Sequence, residues 1–135
     1  MAINKLGTEN LAGILSGKSS NPQEIEEKTD NYTLAFTDKD RLVTMDAATA
    51  KTITIPADAT TAFLNGTKID IANIGTGTLT VAGASGVTLN GSPTTLSQYE
   101  HIVIIKTATD NWMIQGTPTP PVQNYKSFSL FSSGM

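Results

Sequence analysis

The chain has 135 residues, enough for one domain with an arm or tail attached. Hydrophobic residues make up 39% and charged residues 16%, the latter below the roughly 25% of an average soluble domain. Nine Lys and Arg against twelve Asp and Glu give a net charge of −3 with no basic run. That pattern excludes the electrostatic footprint of a nucleic-acid binder and the polybasic patch of an anionic-membrane binder.

Cysteine is absent, which removes disulfides, thiolate nucleophiles and Cys-ligated zinc, and suits assembly in a reducing cytoplasm. Residues 1–14 carry no apolar core of signal-peptide length, and no stretch approaches the roughly 20 apolar residues of a membrane span. The expectation is a soluble protein made and used without export. Thr and Ser replace the missing charges. Thr suits the outer face of a strand, because its branched Cβ fits the pleat and its hydroxyl tolerates water.

Composition divides the chain into three zones: an N-terminal arm over 1–30, a β domain over 31–116, and a C-terminal tail over 117–135. In the arm, Leu6, Leu11, Ile14 and Leu15 line one side of a short helix interrupted by Gly13 and Gly17. Asn21-Pro22-Gln23-Glu24 reads as a capping box opening a second helix through Ile25 to Lys28. Helices this short are marginal alone in water, so the arm is expected to order against a partner surface. The tail opens with Thr117-Pro118-Thr119-Pro120-Pro121, where fixed φ and missing donors stop helix and inner strand alike. It is read as an extended spacer carrying Tyr125, Phe128, Leu130 and Phe131.

The middle zone reads as strands separated by turns. Tyr32-Thr33-Leu34-Ala35-Phe36 alternates, followed by a turn at Thr37-Asp38-Lys39-Asp40 and a strand at Arg41-Leu42-Val43-Thr44-Met45. Lys51-Thr52-Ile53-Thr54-Ile55 and Lys68-Ile69-Asp70-Ile71-Ala72-Asn73 alternate strictly, with the Ile residues on one face. Gly75-Thr76-Gly77 reads as a hairpin turn into Thr78-Leu79-Thr80-Val81, and Asn90-Gly91 as the strongest hairpin signal. The run His101-Ile102-Val103-Ile104-Ile105 suggests a strand covered on both faces, and Asp110-Asn111 turns into Trp112-Met113-Ile114. Strands recurring every 8–12 residues predict an all-β fold, an antiparallel β-sandwich or small barrel of about eight short strands.

Chemistry-bearing residues are few. His101 is the single histidine and opens an apolar strand, which favours a structural role. Asp38 and Asp40 flank Lys39 in a turn that lacks the further oxygen ligands and the glycine of a calcium loop. Gly75-Thr76-Gly77 departs from a dinucleotide fingerprint at the third glycine and leads into a strand, so no helix N-terminus waits for a pyrophosphate. A glycosidase needs a converging carboxylate pair, and Asp70 is the only acid in the middle of a strand. Trp112, Tyr99 and Tyr32 offer a sugar-stacking platform if exposed, although a lone Trp in a small β domain belongs more often to the core. The residues point to a non-enzyme without metal or cofactor.

The ordered series Arg41-Leu42-Val43-Thr44-Met45, Lys51-Thr52-Ile53-Thr54-Ile55-Pro56, Phe63-Leu64-Asn65-Gly66-Thr67-Lys68-Ile69-Asp70-Ile71, Val87-Thr88-Leu89-Asn90-Gly91 and Asp110-Asn111-Trp112 carries a resemblance. Across 32–116 the chain resembles a small β domain recurrent in virion structural proteins of tailed bacteriophages, notably tail-fibre segments and capsid decoration (cement) proteins. The resemblance implies a cofactor-free structural module, usually a homotrimer or attached to a larger shell. The flanks favour a capsid decoration protein bound to the major capsid protein or other virion proteins, localised to the virion and assembled in the host cytoplasm. Leu11, Ile14 and Leu15 of the arm, with Tyr125, Phe128, Leu130 and Phe131 of the tail, are the expected docking residues. The alternatives are a tail-fibre, head-fibre or adaptor component, and a host-glycan-binding module.

Overall fold

Short alternating runs rich in Ile, Val and Thr, cut by Gly, Asn and Asp, make strands and little else. The computed structural model describes residues 22–116. They hold ten strands: β1 (Ile25–Lys28), β2 (Tyr32–Thr33), β3 (Leu42–Met45), β4 (Lys51–Ile55), β5 (Lys68–Asn73), β6 (Leu79–Gly83), β7 (Thr88–Asn90), β8 (Thr95–Leu96), β9 (His101–Ala108) and β10 (Asn111–Gly116). One 3₁₀ turn, Phe36–Asp38, interrupts them.

The strands form two open sheets, ordered β1-β3-β5-β9-β10-β7 and β2-β4-β6-β8. As far as β6 the chain winds as a coil, laying odd strands in the first sheet and even strands in the second. Each return is parallel to the strand before it. Between the second and third coils the register is constant: each residue pairs with the one 28 positions on, Leu42 with Asp70 and Lys51 with Leu79. The connectors stack as the strands do. Gly75 N–H donates to Met45 O and Gly77 N–H to Ala47 O. A Cβ at Gly75 or Gly77 would run into the backbone of Ala47 or Thr49, so these glycines let one coil lie on the next.

The coil is then closed differently. β9 lies antiparallel to β5, β10 folds back antiparallel on β9, and β8 is antiparallel to β6. Alternation decides what is buried. Val43, Met45, Ile69, Ile71, Ile102, Ile104, Trp112 and Ile114 of the larger sheet meet Ile53, Ile55, Leu79, Val81 and Leu96 of the smaller, with Leu34 and Phe63 between strands. Each such side chain contributes about 1.5–3 kcal/mol by leaving water. The outer face of the smaller sheet is threonine, with Thr33 beside Thr54 and the row Thr52, Thr80, Thr95.

Four expectations are corrected. The sandwich is mixed rather than antiparallel, with five parallel pairings among eight, and it is not a closed barrel. A parallel return needs a long crossover; here a strand in the opposite sheet serves, so no helical pattern marks it. Ile25–Lys28 is not helical: as β1 its backbone pairs with β3, which a short helix could not match. Gly75-Thr76-Gly77 and Asn90-Gly91 carry the chain from one sheet to the other instead of closing hairpins. Finally, β9 is covered on one face only; Ile102, Ile104 and Lys106 are buried while Val103 and Ile105 are half-buried on the other. Asp110-Asn111 does turn a true hairpin.

Candidate functional site

Buried polar groups are the first places to look for chemistry; Lys106, Asn73 and Asp38 are engaged in holding structure, while Thr44 Oγ1 has no hydrogen-bond partner among the described residues. Lys106 points into the core, where its Nζ donates to Asp58 Oδ1 at 2.7 Å, Oδ2 at 2.9 Å and Ala108 O at 2.7 Å. Asp58 N–H in turn donates to Asp110 Oδ1 at 2.7 Å, so the loop after β4 is fastened to the β9–β10 turn. Asn73 Nδ2 donates to Gly77 O and Leu96 O, and its Oδ1 accepts from Gly75 N–H, fixing the corner between the sheets. Asp38 Oδ2 accepts from Tyr32 Oη at 2.9 Å and Ala35 N–H at 2.7 Å, which makes the Asp38-Lys39-Asp40 segment a braced turn. Among the described residues no three His, Asp or Glu side chains gather as a metal-holding group.

The first coil carries a charged network. Lys28 Nζ meets Glu26 at 2.9 Å and lies 4.1 Å over the Tyr32 ring; Arg41 bridges Glu24 and Glu26; Lys51 meets Asp30. The hydrogen bond from Lys28 holds Glu26 below the ordinary glutamate range, and that from Lys51 does the same for Asp30. The bond to Glu26 raises Lys28, against partial burial. Burial, then the bond to Asp38, pushes the Tyr32 hydroxyl upward.

Two surface features have the character of contact sites. Phe36 and Leu64 stand exposed, 46% and 74%, beside a cleft of about 250 Å³ lined also by Lys39, Asp40, Asn65, Gly66 and Thr67. Phe36 stacks on Phe63 at 5.7 Å, and Phe63 meets Trp112 edge-on at 5.5 Å. The exposed ring is thus backed by two buried ones.

The second feature lies on the outer face of the larger sheet. A cleft of about 360 Å³ is lined by Leu42, Asp70, Ala72, Ile74, Tyr99 and His101, with Gln23 and Asn73. Asp70 pairs with Val103 and Ala72 with His101, so Asp70 and His101 share the outer face as diagonal neighbours on β5 and β9. Tyr99 projects 77% exposed from the loop before β9.

The sugar-stacking trio does not assemble. Trp112 is fully buried, with the Lys106 ammonium 5.8 Å above its ring and no acceptor for its Nε1 among the described residues. Tyr32 faces inward on Asp38, leaving only Tyr99 outside. His101 opens β9, as its position in the sequence indicated, and sits exposed on the outer face. The parity of β5 could have revealed the cleft: with Ile69 and Ile71 inside, Asp70 and Ala72 must face out. The predicted docking residues Leu11, Ile14, Leu15, Tyr125, Phe128, Leu130 and Phe131 lie outside the described residues. No family model, curated protein or solved structure matches the chain.

Proposed function

We propose that the protein is a structural component of a tailed-bacteriophage virion, a capsid decoration or cement protein that acts through protein–protein contact and catalyses no reaction. The sequence resemblance over 32–116 supports the virion assignment. One structural observation supports contact as the mode of action: the Phe36–Leu64 pair, an exposed aromatic and aliphatic anchor made rigid by Phe63 and Trp112. Pre-organised aromatic anchors lose little side-chain entropy on docking and commonly dominate interface energy. In this reading the shell protein covers that anchor, and Leu11, Ile14, Leu15, Tyr125, Phe128, Leu130 and Phe131 extend the contact, with a homotrimer as the assembled unit.

Phe36→Ser with Leu64→Ser tests it. Leu64 is mostly exposed and Phe36 about half, stacked on Phe63, so the variant stays folded with a modestly lower thermal midpoint while incorporation into particles falls at least tenfold, the equivalent of about 1.4 kcal/mol. Wild-type incorporation of this variant sinks the anchor. Few copies per particle, located on the tail, sink the decoration reading.

The second reading, a tail-fibre, head-fibre or adaptor component, is favoured by the constant register between coils. Coiled units that stack strand on strand suit an elongated shaft.

A further inference from the structure

We propose that the outer cleft of the larger sheet is a binding site for a neutral pyranose ring, with Tyr99 as the stacking surface and the Asp70 carboxylate as the acceptor for its hydroxyls. Tyr99 has φ 69, a left-handed conformation that a bulky residue adopts only under constraint. The constraint is visible on both sides of it. Tyr99 N–H donates to Asn73 O at 2.6 Å, Asn73 N–H to Glu100 O at 3.0 Å, and Glu100 N–H to Ser97 O at 3.1 Å. Glu100 Oε2 also accepts from Ser97 N–H, and Gln98 Nε2 donates to Ile74 O. A loop tied at so many points holds an aromatic ring out in water, where burial gives it nothing.

What lies below the ring indicates the ligand. Leu42, Ala72 and Ile74 make a carbon floor, suited to the C–H face of a sugar as the Tyr ring is. Asp70, when ionised, accepts hydrogen bonds at both carboxylate oxygens, which suits two neighbouring hydroxyls of a ring. No Lys or Arg is among the residues lining the cleft, and its one carboxylate repels anions, which turns sialic and uronic acids away. A cleft of about 360 Å³ is at the small end of ligand sites, room for a ring or two.

The test uses the full chain, ¹⁵N-labelled, titrated with methyl α-glucopyranoside, methyl α-galactopyranoside and N-acetylglucosamine. At least one produces saturable shifts at Ala72, Ile74, Tyr99 and His101, with a Kd in the millimolar range. Tyr99→Gly removes the ring at a position whose φ suits glycine, so it keeps the fold and weakens binding at least tenfold. Tyr99→Phe retains binding within about threefold, and Asp70→Asn weakens it about tenfold. No shift with any pyranoside overturns the site, as do shifts that persist in Tyr99→Gly. Tighter binding of N-acetylneuraminic acid overturns the neutral class. Tyr99-dependent binding of Nα-acetyl-lysine methylamide, with silence from the sugars, reassigns the cleft to a cationic peptide side chain and also overturns the proposal.

Discussion

The first coil and the second use one backbone path for opposite ends. In register, Glu26 and Lys28 of β1 take the positions that Val43 and Met45 fill in β3, and Tyr32 of β2 that of Ile53 in β4. Val43, Met45 and Ile53 are fully buried, whereas the first-coil residues are charged or hydroxylated and tied to Arg41, Asp38 and one another. Inward-pointing charge on an edge strand blocks further strands from adding, and a coil stack needs a polar end to stay soluble. The middle coil stores stability; the first coil, which forms the edge of both sheets among the described residues, adds a polar end at little cost.

The largest effect that sharpens this contrast comes from truncating equivalent positions. Ile53→Ala should cost about 2–5 kcal/mol in urea unfolding, because the cavity lies between the sheets. Tyr32→Ala, its register partner, should cost well under half as much; equal losses would break the comparison. Gly75→Ala comes next. Its Cβ must wedge the third coil off Ala47, for about 1–3 kcal/mol, with the loss concentrated in slowed-exchange amides of β3 and β5.

The smallest effect is a pH response confined to the first coil. Glu26 and Asp30 have depressed folded-state values, so their contribution is present at neutral pH. It disappears as the pH falls through those values, below the ordinary 3.8–4.5 range. Lys28 and Tyr32 are raised, so theirs persists below their ordinary 10.5 and 10.0 and is lost as the pH climbs above them. Amide exchange at Ile25–Lys28, corrected for intrinsic rates, should therefore rise once the pH falls below the ordinary carboxylate range, while β4 stays protected. A uniform rise over both coils would show that the network supports the whole sandwich.

Much of the interior was legible from alternation. The Ile pairs of β4 and β5 fall on the buried face that parity assigns them, and Asp110-Asn111 turns the chain where expected. Pairing direction was not, because it depends on which distant strand becomes the neighbour. Asn90-Gly91 illustrates the limit. Gly91 sits at φ 113, as turn chemistry suggests, yet a Cβ there would strike Ile114 O, and Asn90 Nδ2 donates to Trp112 O. The pair serves contact with β10, a partner more than twenty residues away. The Tyr99 cleft was half legible: Asp70 and the aromatic ring stood out, but the loop that fixes Tyr99 depends on Asn73, buried at the far end of β5.

The 28-residue register has a consequence for how such a molecule changes size. Duplication of one coil in the gene would insert a strand into each sheet, lengthening the body by about 4.7–4.9 Å. The polar end and the antiparallel closure would keep their own neighbours. Growth by whole increments leaves both ends intact, so reach can be altered without redesigning what the ends touch.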